Sequence, residues 1–121
     1  MTHILIVDDS PTEIHVLQKM LERNGFETSA VTSGEDGVSS AKERRPDLIL
    51  MDVVMPGMNG FQATRQLTKD PVTAKIPVII VTTKNQETDR VWGLRQGAKD
   101  YITKPVDETV LLLKVKAALR T

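Results

Sequence analysis

Three short runs of aliphatic residues divide the chain, and polar segments separate them. The runs cover residues 4–7, 48–51 and 78–81. None alternates between apolar and polar positions, which is typical of strands buried on both faces of a parallel sheet. Residues 27–31 and 100–103 are two weaker strand candidates. The pattern therefore predicts five strands.

Between and after these runs lie five segments with helical patterns. Ser10 can cap the first helix, Pro11 suits its first position, and Glu13 would complete a capping box. Apolar residues then follow at helical spacing as far as Leu21. The four other predicted helices cover residues 33–44, 59–68, 86–96 and 107–120.

Strict alternation of strands and helices predicts an α/β fold with a parallel sheet and right-handed crossovers. At this length the leading choice is the flavodoxin-like strand order 2-1-3-4-5, a (βα)5 three-layer sandwich with a five-stranded sheet. No repeat or linker interrupts the pattern, so we expect a single domain over residues 1–121.

Composition and charge exclude several classes of site and partner. The chain has 16 basic and 16 acidic residues, so bulk charge gives no reason to expect binding to nucleic acid. It has no cysteine and two histidines, which excludes disulfides and makes a zinc site improbable. No signal peptide or span of about 20 apolar residues is present, so we expect a cytoplasmic protein without membrane insertion.

The candidate chemistry lies at the ends of the predicted strands. Asp8 and Asp9 follow the first strand, Asp52 the third, Thr82 the fourth and Lys104 the fifth. Each residue alone is a common turn, cap or surface residue. However, the carboxyl ends of parallel strands share one edge, and ligands bind there where the strand order reverses, here between strands 1 and 3. The sequence therefore predicts a polar site at this edge.

The predicted residue types favour phosphoryl chemistry with a hard cation. Three close carboxylates repel one another unless a cation intervenes. An oxygen-only donor set favours Mg²⁺, with Mn²⁺ as an alternative. An aspartate beside such a cation can attack phosphorus, while the cation and Lys104 supply positive charge and Thr82 can donate a hydrogen bond.

These residues, in this order, resemble the receiver domain of bacterial response regulators, the CheY-like family. The resemblance covers the whole chain. Within the family the chain is similar to the single-domain PilH-like regulators of type IV pilus twitching motility. The segments that carry these two resemblances are Met55-Pro56-Gly57 and Gly60 after Asp52, Tyr101, Lys104-Pro105, Ser10-Pro11-Thr12-Glu13, Phe61-Gln62-Ala63-Thr64-Arg65 and Thr82-Thr83-Lys84.

The resemblance implies a role for each site residue. Asp52 would be the phospho-acceptor. Asp9, Asp52 and the backbone carbonyl of Val54 would bind Mg²⁺, with Asp8 acting through water. Lys104 would pair with the phosphoryl group, and the Lys104–Pro105 peptide bond would be cis.

The resemblance also implies a switch and partners. Thr82 would move toward the phosphoryl group and Tyr101 would turn inward, so that the surface of helix 4, strand 5 and helix 5 changes its partner preference. The donor would be a histidine kinase of a chemotaxis-like system. No output domain is expected, so the chain would signal through an unidentified downstream protein or act as a phosphate sink. We expect a monomer, with dimerisation on phosphorylation as an alternative.

Rival functions share part of this pattern. A Mg²⁺-dependent phosphohydrolase with an aspartate nucleophile would use the same residues, but the chain has no cap insertion to enclose a substrate. We expect no enzyme activity beyond self-phosphorylation and self-dephosphorylation. A flavin or nucleotide binder is disfavoured, because Asp8 and Asp9 repel phosphate and Pro11 lacks an N–H group.

One further hypothesis concerns the lifetime of the phosphoryl group. Val54 and Lys84 follow Asp52 and Thr82 by two residues, which should place both side chains near the path of an attacking water. Neither carries a carboxylate or amide that could position that water. The sequence therefore predicts slow self-hydrolysis.

Overall fold

The computed structural model describes residues 1–120 and has five strands alternating with five helices. The expected domain ends at Thr121, which lies outside the described residues. In chain order the elements are β1 (His3–Val7), α1 (Pro11–Glu22), β2 (Glu27–Val31), α2 (Gly34–Arg44), β3 (Leu48–Met51), α3 (Gly60–Lys69), β4 (Val78–Thr82), α4 (Glu87–Arg95), β5 (Asp100–Thr103) and α5 (Glu108–Leu119).

The five strands form one parallel sheet in the order β2-β1-β3-β4-β5, as predicted. The order reverses beside β1, which pairs with β2 on one side and β3 on the other. In the register of the second pair, Ile4 lies opposite Leu48 and Val7 opposite Met51. The residues that follow β1 and β3 therefore leave the sheet side by side.

Helices cover both faces of the sheet and create two main apolar cores. One core packs strand residues against α1 and α5, with Leu17, Leu21 and Leu111 among its buried members. The other packs strand residues against α2 and α3, with Val38 and Leu67 among its buried members. Burial on both faces explains why β1, β3 and β4 have no polar alternation.

Helices α2, α3 and α5 begin one residue later than predicted, because the predicted ranges counted the capping residue as part of the helix. Ser33, Asn59 and Asp107 are N-caps with extended backbones, and each side chain accepts a hydrogen bond from the backbone N–H three residues later. This is the geometry that an N-cap requires, so each of these predicted helices started one residue too early. None of the helices within residues 1–120 is both long and apolar enough to cross a membrane.

The predicted capping box of α1 was wrong in one half. The Ser10 hydroxyl accepts a hydrogen bond from the backbone N–H of Glu13 at 3.3 Å, as an N-cap should. In a complete box the Glu13 carboxylate would accept from the Ser10 N–H. That N–H donates instead to Asp8 Oδ1 at 2.9 Å. A reciprocal box forms in α3, between Asn59 and Gln62.

Candidate functional site

Three aspartates meet at the edge where the strand order reverses. Asp8 and Asp9 follow β1, and Asp52 follows β3, where its backbone N–H donates to the carbonyl of Val7 at 2.9 Å. One carboxylate oxygen from each aspartate lies within 4.8 Å of the other two. Asp8 and Asp52 are buried, while Asp9 is exposed. An oxygen-only donor set at this spacing, open on one side, fits a hard divalent cation such as Mg²⁺.

Lys104 provides the positive charge of the cluster. Its Nζ lies 2.8 Å from Asp8 Oδ2 and 3.8 Å from Asp52 Oδ2. The side chain is only 8% exposed, and the Lys104–Pro105 peptide bond is cis. Burial by itself lowers the pKa of the ammonium. The hydrogen bond to Asp8 and the nearby carboxylate charges outweigh burial and raise that pKa above its ordinary value, so the group stays protonated.

The environment of the Asp52 carboxylate is less favourable for the ionised form than that of a surface aspartate. Burial and the charge of Asp8 raise its pKa. The Lys104 charge, the Val53 N–H at 2.8 Å and the hydroxyl of Thr82 oppose this rise without cancelling it. A cation bound beside Asp52 would therefore stabilise the ionised carboxylate that a nucleophile requires.

Thr82 and Tyr101 are joined through the backbone of Lys84. Thr82 ends β4 and is fully buried, and its Oγ1 accepts a hydrogen bond from the Lys84 N–H at 3.4 Å. Tyr101 lies inward on β5, and its hydroxyl donates to the Lys84 carbonyl at 2.8 Å. Burial raises the pKa of Tyr101 to about 12, so the hydroxyl remains a donor at neutral pH.

The loop between β3 and α3 carries Val54, whose side chain is exposed. Gly60 closes this loop against the site, because its N–H donates to the Val53 carbonyl at 3.0 Å. A Cβ at position 60 would lie 1.9 Å from the backbone oxygen of Asp52. Position 60 therefore tolerates no side chain, which the sequence pattern alone did not reveal.

Glu13 is a second residue near the site whose role was missed from the sequence. Its Oε2 lies 3.9 Å from Lys104 Nζ. The signal was present, because Glu13 is in the first turn of the helix that directly follows Asp8 and Asp9. The capping-box interpretation gave its carboxylate a different partner.

The chain matches the response regulator receiver domain model over residues 4–116, and it therefore belongs to this family. Protein PilH of Pseudomonas aeruginosa is 63% identical over 119 residues, which cover 98% of this chain and 98% of that protein. The chain is thus a PilH homologue with the fold of the CheY-like proteins.

Solved structures agree with this assignment. The receiver domain of a signal transduction histidine kinase from Syntrophus aciditrophicus matches with a TM-score of 0.91 and 42% identity, covering 99% of this chain and 91% of that one. The receiver domain of a sensor histidine kinase from Pseudomonas aeruginosa, with a magnesium ion coordinated in its active site cleft, matches with a TM-score of 0.91 and 31% identity. That match covers 99% of this chain and 98% of that one.

Family membership establishes the general function. Receiver domains are signalling domains of two-component response regulators rather than typical enzymes, and their general partner is a histidine kinase. They bind Mg²⁺ at an acidic aspartate cluster, and this chain has such a cluster in Asp8, Asp9 and Asp52.

Proposed function

We propose that this receiver accepts a phosphoryl group on Asp52 from a histidine kinase of a chemotaxis-like system and thereby controls type IV pilus twitching motility. The observation that carries the proposal is the convergence of three carboxylates with the ammonium of Lys104 at one edge of the sheet. The similarity to Protein PilH supports the twitching output.

The metal would be held mainly by residues other than Asp8. Both oxygens of Asp8 already accept hydrogen bonds, from the Ser10 N–H at 2.9 Å and from Lys104 at 2.8 Å. Asp9, Asp52 and the backbone carbonyl of Val54 would bind Mg²⁺ directly, and Asp8 would act through water. A metal ion held there would offset the negative charge of the phosphoryl oxygens during transfer. Mn²⁺ would serve in place of Mg²⁺.

In the transfer step, one oxygen of Asp52 attacks phosphorus and forms a new O–P bond. The bond between phosphorus and the donor atom breaks, and its electron pair leaves with the donor. Lys104 is close enough to pair with the phosphoryl group once it is on Asp52, since its Nζ is 3.8 Å from Asp52 Oδ2. It would exchange part of its pairing with Asp8 for a phosphoryl oxygen.

The signal would pass through Thr82 and Tyr101. A phosphoryl group adds about −1.5 to −2 charges and strong acceptors beside Thr82. The Thr82 hydroxyl would turn toward the new oxygens and release the Lys84 N–H. The sequence predicted that Tyr101 turns inward at this step, but Tyr101 already lies inward on the Lys84 carbonyl and would stay there. The face of α4, β5 and α5 would then change its preference for a downstream protein. Alternatively, the chain would act as a phosphate sink.

Intact-mass spectrometry with acetyl phosphate and Mg²⁺ tests the first step. The parent should gain the mass of one phosphoryl group, and Asp52→Asn should gain none. Removing Mg²⁺ with a chelator should abolish the gain in the parent. A mass gain in Asp52→Asn equal to that of the parent would refute Asp52 as the acceptor.

A further inference from the structure

The Glu13 carboxylate faces the site instead of capping its own helix. Its Oε2 lies 3.9 Å from Lys104 Nζ, and its side chain is 43% exposed, against 8% for Lys104. Glu13 is therefore at the mouth of the site, between bulk solvent and the buried ammonium. Its carboxylate is not part of the cluster of oxygens formed by Asp8, Asp9 and Asp52.

The local backbone explains this orientation. A glutamate at the third helical position ordinarily accepts from the N-cap N–H. Asp8 Oδ1 already takes that N–H of Ser10 at 2.9 Å. The Glu13 carboxylate is thus displaced from its usual partner, and the nearest positive charge is Lys104. Asp8 consequently sets the position of Glu13 as well as that of Lys104.

The additional carboxylate changes the charge balance at the entrance. A phosphate donor is an anion, and it must approach the same ammonium that Glu13 faces. The carboxylate repels the donor and attracts Lys104 away from it. At separations of a few Å in a partly solvated region, this effect is large enough to alter a rate several-fold and is weakened by salt.

We propose that Glu13 is a positioning residue that slows phosphoryl acceptance by drawing the Lys104 ammonium toward the mouth of the site and repelling anionic donors. This inference rests on the proposed function of Asp52. Glu13 does not touch the phosphoryl group itself, and it acts through Lys104 and through its charge.

The test is the rate of phosphorylation by acetyl phosphate, followed by intact mass at saturating Mg²⁺ so that metal affinity does not enter. Glu13→Gln should raise the rate roughly three- to five-fold at low ionic strength. The ratio to the parent should fall toward one at about 0.5 M salt, where the Debye length is only a few Å. A purely structural role would not respond to salt in this way.

Two further variants of Glu13 separate charge from structure. Glu13→Asp keeps the charge and should behave like the parent. Glu13→Lys reverses the charge and should accelerate acceptance beyond Glu13→Gln. If Glu13→Gln folds poorly, the comparison of Glu13→Lys with Glu13→Asp still decides the proposal.

Asp36 supplies the matched control. It is the third residue of α2, its backbone N–H donates to the Ser33 cap at 3.0 Å, and its carboxylate enters none of the ion pairs of residues 1–120. Asp36→Asn should leave the rate unchanged.

Three outcomes would overturn the inference while Asp52 still accepts phosphate: equal rates for Glu13→Gln and the parent, a gain that persists at high salt, or an equal gain in Asp36→Asn. If the parent takes no phosphoryl group, or Asp52→Asn takes one equally, the proposed function itself fails. The two failures are therefore distinguishable.

Discussion

At the scale of single residues, two glycines are required for different physical reasons, one beside the site and one in the turn after α1. Gly60 has an ordinary backbone conformation, but a Cβ there would lie 1.9 Å from the backbone oxygen of Asp52. Gly25 has open space around it, but its φ of +89° is unfavourable for other residues. Steric overlap governs the first position and backbone conformation governs the second.

Gly60→Ala should therefore destabilise the protein by about 3 kcal/mol or more, because the backbone of Asp52 must shift. Gly25→Ala should cost about 1–2 kcal/mol through strain alone. Urea unfolding measures both. Gly60→Ala should also weaken phosphorylation of Asp52 in the fraction that folds, while Gly25→Ala should not. Equal effects of the two variants on phosphorylation would contradict this interpretation.

Val54 concerns the lifetime of the phosphoryl group. Its side chain is 57% exposed beside the site, and the side chain of Lys84 is turned toward Asp89, 3.9 Å away. Neither side chain has a carboxylate or amide oxygen that could position an attacking water by accepting a hydrogen bond from it.

Val54→Asn should shorten the lifetime of the phosphorylated protein several-fold, because an amide can hold water in place. The measurement is the loss of the phosphoryl mass after removal of the donor. Val54→Leu, which adds bulk without a polar group, is the control. A lifetime in Val54→Asn no shorter than in the parent would count against slow self-hydrolysis through this position.

At the scale of elements, α1 and α5 lie on the same face of the sheet and are joined at their ends. The Glu108 carboxylate in the first turn of α5 accepts hydrogen bonds from Arg23 and Asn24, which follow α1. The pKa of Glu108 is lowered to about 2, mainly by the hydrogen bond from Arg23 and next by the one from Asn24. Because these groups are exposed, salt should weaken the interaction.

The lowered pKa predicts a pH dependence of stability. The pKa of Glu108 is about 2 in the folded protein, against an ordinary value of 4.5. The contribution of the ionised Glu108 to folding stability is therefore complete above pH 4.5 and is lost as the pH falls toward 2. Glu108→Gln should flatten the decline of the urea midpoint over this window at low salt. Glu43→Gln, at an exposed carboxylate outside the ion pairs of the described chain, should leave the decline unchanged. An unchanged slope in Glu108→Gln would remove this explanation.

At the scale of the whole molecule, the cluster of three aspartates exists only when the sheet is assembled. Asp8 and Asp9 are separated from Asp52 by more than 40 residues of sequence, and the pairing of β1 with β3 brings them within 4.8 Å. An unfolded chain therefore has no comparable cluster, so metal binding at these aspartates would be coupled to folding.

Mg²⁺ should consequently stabilise the folded protein. At ten times its Kd the gain is about 1.4 kcal/mol, or a rise in Tm of roughly 5 °C for a domain of this size. Asp9→Asn should reduce the Mg²⁺-dependent rise, and Asp36→Asn should not. Differential scanning calorimetry with and without Mg²⁺ measures the shift. An equal rise in all three proteins would indicate a general salt effect.

Much of the fold and the list of candidate residues followed from the sequence. Strands buried on both faces need unbroken apolar runs, so residues 4–7, 48–51 and 78–81 could be recognised locally. Alternation with helices then implied a parallel sheet, whose carboxyl ends share one edge. Asp8, Asp9 and Asp52 could therefore be assigned to that edge before any distance was known.

Only the tertiary structure decided which groups pair there. The Ser10 N–H donates to Asp8, two residues before it, which leaves the Glu13 carboxylate without its usual local partner. Only folding brings Lys104, which follows β5, within 3.9 Å of that carboxylate. Gly60 meets the Asp52 backbone only because the β3–α3 loop folds back on the site. Sequence determines what each residue can bind, whereas competition among partners brought close by folding determines what it does bind.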